Sequence, residues 1–173
     1  MKLDTATSLN DNDPDVSVAP EEIDLSDNVH INPQTYLATD YLNHFNEIVM
    51  MTEMLPELPD VYTDIVSWEP MSYIQHFQIS GFVYADLAVR AYKAAPQHVR
   101  QDFDALISDI DQSIIAGRQE IIEAFDQNDQ NRVAKASQEM TQDLRAMIDT
   151  ASAMINGTHK SAQDQADSIF DNL

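Results

Sequence analysis

Two stripes of mostly apolar residues, spaced by three and four, dominate the second half of the chain. The first is Phe103, Leu106, Ile110, Ile114, Gly117, Ile121 and Phe125, and the second is Val133, Ser137, Met140, Leu144, Met147, Ala151 and Met154. This spacing tracks the roughly 3.6-residue turn of an α-helix, so each set lies along one face. The polar break between them, Asp126 to Asn131, has a length that joins antiparallel helices. A long helical hairpin is therefore expected. At about 1.5 Å per residue each arm reaches about 40 Å, longer than a compact domain of this size is wide. Either shorter N-terminal helices pack along the hairpin or a second copy does, and a homodimer formed through it is expected.

The preceding segments are also read as helical. Asn32-Pro33 suits a helix start, with Asn as N-cap and Pro at the first helical position. Leu37, Tyr41, Phe45, Ile48, Val49 and Met54 then recur at helical spacing as far as Leu55. Pro56 to Asp60 forces a turn, and Val61, Ile65 and Trp68 mark a short second helix. A third runs from Met71 to Ile79 with Ile74 and Phe77 inward. A fourth runs from Phe82 to Ala95 with Val83, Leu87 and Ala91 on one face, stopped by Pro96. No stretch alternates as a strand does, so the fold class is all-α: a helical bundle with a long antiparallel hairpin. The Pro-bounded segments of residues 33–96, with Trp68, Tyr73 and Phe77, are expected to form a pocket that the sequence leaves unassigned.

Residues 1–32 carry eight acids, Asp4, Asp11, Asp13, Asp15, Glu21, Glu22, Asp24 and Asp27, against one Lys. So little apolar area does not offset a backbone entropy of about 1–2 kcal/mol per residue, and a disordered acidic arm is expected. Within it, Glu21 to Leu25 has the composition of either a short fold-on-binding segment or a plain solvating tail. The division expected is an arm over 1–32, a helical domain over 33–156, and a linker with a docking peptide over 157–173.

The 173-residue chain has 30 Asp and Glu, 9 Lys and Arg, and a formal charge of -21. Such a surface repels phosphate backbones and anionic lipid, which argues against nucleic acid as a partner and against membrane-surface binding. The absence of cysteine removes disulfides, thiolate catalysis and Cys-ligated metals. No apolar run has the length of a signal peptide or a spanning helix, so membrane insertion is not expected and a soluble, cytoplasmic protein is. Three glycines, Gly81, Gly117 and Gly157, are too few for nucleotide-binding loops, and no cofactor is expected.

Chemistry-bearing patterns are sparse. Asp40, His44 and Glu47 share a helical face and have the residue types of a metal site. No Glu-x-x-His accompanies them as a di-metal bundle requires, so they are read as a solvated flank and no metal is expected. His76 resembles the acceptor of helical phosphotransfer modules, but Ser80 stands where that family has Gly and no Lys follows. The Met50, Met51 and Met54 run, with Met71 beyond, is read as core filler rather than an adaptable surface.

The C-terminus is more informative. Asn156-Gly157-Thr158 reads as a helix stop with Gly in a left-handed cap. Beyond it, Ala162, Ala166, Ile169, Phe170 and Leu173 share one helical face and Asp164, Asp167 and Asp171 the other. Such a segment suits docking into a partner's groove, with carboxylates meeting basic groups at the rim. Gln163 to Leu173 resembles the C-terminal peptide of the chemotaxis response-regulator phosphatase family. It is also similar to the N-terminal peptide of flagellar motor switch proteins, and Glu22 to Leu25 is a weaker echo of the same pattern. The resemblance implies that Asp164, Asp167, Ile169, Phe170 and Leu173 contact a phosphorylated receiver-domain response regulator. That phosphatase family is also a dimeric helical hairpin, and its catalysis uses an Asp with a Gln four residues on. Here Asp104 is followed at that spacing by Ser108, and the pair Asp126 and Gln130 lies in the polar break. A non-enzymatic signalling adapter is therefore the expected function. The alternatives are a receiver phosphatase with a rearranged acid–amide site, for which Asp104, Asp109 and Gln112 are the catalytic candidates, and a helical scaffold or assembly protein.

Overall fold

The computed structural model describes residues 23–25 and 30–158. Among them the fold is all-α: α1 (Asn43–Met54), α2 (Tyr62–Ser67), α3 (Tyr73–Ile79), α4 (Ala85–Ala94), α5 (Gln97–Asp126) and α6 (Gln130–Ile155). No strand occurs among the described residues, only an isolated antiparallel bridge between Ile31 and Ala38.

α5 and α6, of 30 and 26 residues, form the hairpin. Phe103, Ile110, Ile114 and Ile121 of one arm and Val133, Ser137, Met140, Leu144 and Ala151 of the other are buried as their spacing predicts. The connection is shorter than the polar break suggested, because Asp126 still ends α5 and Gln130 already begins α6. Asn128 turns the chain with φ 53°, and Asp129 accepts the Arg132 backbone N–H at 3.0 Å as the cap of α6. Arg132 then bridges back to Glu120 at 3.0 Å and Glu123 at 3.3 Å.

The shorter helices of the same chain cover the hairpin. α1 lies against α6. Residues 62–73 run antiparallel along α5. Tyr62 stacks on Phe125 with ring centroids 3.8 Å apart. Arg118 donates to the carbonyls of Val66 and Trp68, and Tyr73 meets Phe103 edge-on at 6.2 Å. α3 opens with a capping box in which Ser72 and Gln75 satisfy each other's backbone N–H. It packs on α4.

The expected helix start at Asn32-Pro33 is corrected. Asn32 Oδ1 accepts from the backbone N–H groups of Gln34 (2.8 Å) and Thr35 (3.1 Å), a turn that serves Asn as well as a helix cap does. Tyr36, at φ 62°, then takes the chain out of the right-handed region. Helix begins only with a 3-10 turn at Thr39–Leu42. In the fourth segment Ala88, Ala91 and Ala94 face the core, whereas Val83, expected inward, is 87% exposed because it precedes the helix. Ile74 is half-buried, with Tyr73 and Phe77 as the inward pair of α3. The arm also needs redrawing: Ile23, Leu25 and Ile31 are buried in the core, so these aliphatics belong to the folded body despite their acidic surroundings. Residues 1–22 and 26–29 of the arm lie outside the described set.

Candidate functional site

One cavity, of about 370 Å³, brings together residues that the sequence keeps far apart. α5 supplies Phe103, Asp104, Ile107, Ser108 and Asp111, whose spacing of three and four puts them on one face. Tyr92 comes from α4, Tyr73 from the start of α3, Met71 from the segment before it, and Tyr41 from the 3-10 turn.

Each tyrosine is held by ring packing and by its hydroxyl. Tyr73 stacks on Tyr92 with centroids 4.6 Å apart and planes 17° from parallel, and meets Tyr41 at 5.2 Å. The Tyr41 hydroxyl donates to the Met71 carbonyl at 2.6 Å, and the Tyr73 oxygen accepts the Ala38 N–H at 2.8 Å. Tyr92 donates to Asp104, 2.7 Å from Oδ1 and 2.9 Å from Oδ2. Burial pushes all three phenols above their ordinary value, so they stand as neutral hydrogen-bonding groups and not as bases.

The carboxylates of the cleft are held at a cost. Burial pushes Asp111 up to about 6. Its Oδ1 is sealed from water and has no hydrogen-bond partner. Asp104 is also raised by burial, with the Tyr92 hydroxyl and the Arg100 charge working against the rise. No Lys, Arg or His lines the cavity.

Of the three catalytic candidates, only Asp104 lines the cleft. Asp109 and Gln112 are exposed outside it, and the Gln112 amide donates to Ser108 Oγ at 3.2 Å. Asp104 thus shares the cleft with neither Asp109 nor Gln112. Asp126 and Gln130 belong to different helices, which separates that pair as well. Tyr73 lines the cavity as part of the unassigned pocket, but Trp68 and Phe77 do not. Asp164, Asp167, Ile169, Phe170 and Leu173 lie outside the described residues.

The solvated flank expected of Asp40, His44 and Glu47 is corrected. Glu47 is exposed, but His44 is only 8% exposed and lies flat on Trp68, with centroids 4.6 Å apart. Burial and then the neighbouring His76 charge lower its proton affinity to about 4, against a hydrogen bond with the Glu69 backbone. Among the described residues, no group of three or more His, Asp and Glu is placed to hold a metal ion.

Tyr41, Tyr92, Ser108 and Asp111 were not singled out from the sequence as site residues. The available signal was the second stripe on α5, Asp104, Ser108 and Asp111, beside the apolar one. No helix among the described residues is long and apolar enough to cross a membrane. No protein-family model, curated protein or solved structure matches the chain.

Proposed function

We propose that the protein is a non-enzymatic signalling adapter of the cytoplasm. Its C-terminal segment binds a phosphorylated receiver-domain response regulator in chemotaxis or flagellar regulation. The observation that carries this reading is the pattern of Gln163 to Leu173, with Ile169, Phe170 and Leu173 on one helical face and Asp164 and Asp167 beside them. The domain supplies a fixed anchor for that segment. Thr35 Oγ1 donates to the Ile155 carbonyl at 2.6 Å, and Gly157, at φ 68°, ends α6. Phosphorylation of the receiver would open the groove that the segment prefers, so the adapter distinguishes the two states by differential affinity. Self-association along the hairpin belongs to the same proposal and presents two such segments at once.

The test is a titration of the full chain against a chemotaxis receiver domain, with and without beryllofluoride as the phosphoryl mimic. Tighter binding to the beryllofluoride form is expected, with at least a tenfold loss in Phe170→Ala. Equal affinity of Phe170→Ala and the unaltered chain would remove the reading. Light scattering of the purified chain checks the dimer.

A further inference from the structure

The cleft between α5 and the Tyr41, Tyr73 and Tyr92 rings has no role in the docking reading, and its chemistry is selective. We propose that it is a binding site for a linear aliphatic diamine or polyamine.

Its volume of about 370 Å³ lies near the lower end of the roughly 300–1,000 Å³ typical of small-molecule sites, which suits a slender ligand better than a nucleotide. The charged groups lining it are both anionic, Asp104 and Asp111. An anionic ligand is thereby repelled, and a neutral one leaves both carboxylates without a counter-charge. Arg100, the cation nearest in effect to Asp104, donates to the Lys93 carbonyl at 2.9 Å and does not line the cavity. A metal ion is disfavoured by geometry. Asp104 and Asp111 are seven residues apart on one helix, about 10 Å along its axis, and the third ligand is lacking.

That same separation favours two ammonium groups joined by methylenes. One end meets the accessible part of the Asp111 carboxylate, a residue only partly buried. The other meets Asp104, whose two oxygens keep acceptor sites beyond the Tyr92 hydroxyl. Tyr41 and Phe103 are fully buried beneath the cleft, and the apolar surface it offers an alkyl chain comes from Pro70, Met71 and the partly exposed Tyr92 ring. The chain's charge of -21 raises the local concentration of cations around the mouth.

Calorimetric titration of the full chain with 1,4-diaminobutane and with spermidine tests the site, using n-butylamine and 1,4-butanediol as single-charge and uncharged controls. Saturable one-to-one binding is expected, at least tenfold weaker for n-butylamine and absent for the diol. Asp111→Asn should lose at least tenfold in affinity. Ser108→Phe, which fills the cleft while leaving both carboxylates, should lose as much, and circular dichroism checks that each variant is folded. Absence of saturable heat overturns the proposal. So does unchanged binding in both variants, which would assign the amines to diffuse attraction by the acidic surface.

Discussion

Gly117 of α5 faces Met140 of α6 so closely that a Cβ built on the glycine would stand 2.7 Å from Met140 Cγ and 3.0 Å from its Cβ. The contact falls near the stem of the methionine, which has little freedom to withdraw. The hairpin arms thus leave no room for a Cβ at Gly117, and the position keeps a residue that costs a helix about 1 kcal/mol relative to alanine.

Gly117→Ala should therefore destabilise the protein by about 1 kcal/mol, an overpacking cost of about 1–3 kcal/mol outweighing the propensity gain. With Met140→Ala the obstruction is gone. In that background the same substitution should stabilise by about 0.5–1 kcal/mol, although Met140→Ala itself costs about 2–4 kcal/mol. A urea-denaturation double-mutant cycle reads the sign change. A destabilising Gly117→Ala in both backgrounds would mean that the close approach is not to Met140.

His44 binds its proton less tightly in the fold than in the unfolded chain, about 4 against an ordinary 6.5. The unfolded state therefore holds more protons between these values, so stability falls as pH drops from about 6.5 to 4. The nominal penalty is about 3 kcal/mol, and solvent screening reduces it to about 1–2 kcal/mol. His44→Phe keeps a ring on Trp68 and has nothing to protonate. Its stability relative to the unaltered protein should rise by that amount across the window, as measured by urea midpoints at half-unit pH steps. A constant difference would locate the acid sensitivity elsewhere.

Asp111 acts in the opposite sense. Its folded value, about 6, lies above the ordinary 3.8, so here the fold holds the extra proton. Its contribution to stability is complete below about 4 and lost as pH rises through about 6. Asp111 is partly exposed, and after screening about 1–2 kcal/mol remains. Asp111→Asn should be more stable than the unaltered chain by about 1 kcal/mol at pH 7.5 and show no such gain at pH 4, in thermal or urea melts. In the unaltered chain the two residues partly cancel near pH 5, so each variant exposes the slope of the other. A gain at pH 7.5 also separates lost amine binding from lost structure in the same variant.

The hairpin was legible because its evidence is redundant: seven positions on each arm repeat one spacing, and no local alternative competes. Asn32-Pro33 failed as a helix start because the same side chain that caps a helix also closes a turn, and only the left-handed Tyr36 decides between them. Ile23, Leu25 and Ile31 were hidden by their acidic neighbours, since composition averages over a segment while burial is settled residue by residue. The cleft was illegible for another reason. Tyr41, Met71, Tyr92 and Asp111 come from separate segments, and an ordinary aspartate on α5 becomes unusual only when the fold gathers those segments around one cavity and buries one of its oxygens.

Arg118 ties the shortest of the covering helices to the hairpin. α2 has six residues, too few to be stable alone, and its last carbonyls need donors from elsewhere. Arg118 donates to the carbonyls of Val66, at 3.3 Å, and Trp68, setting a cation at the helix C-terminus. Arg118→Ala should cost about 2 kcal/mol, the range for hydrogen bonds from a charged donor. It should also loosen the segment that carries Trp68. That residue is the chain's one tryptophan and is 7% exposed, so its fluorescence should shift to longer wavelength in the native variant. Arg118→Lys retains the charge but not the guanidinium whose single nitrogen Nη1 reaches both carbonyls, and less than half of the stability should return. Full recovery with lysine would show that a point charge at the end of α2 is sufficient.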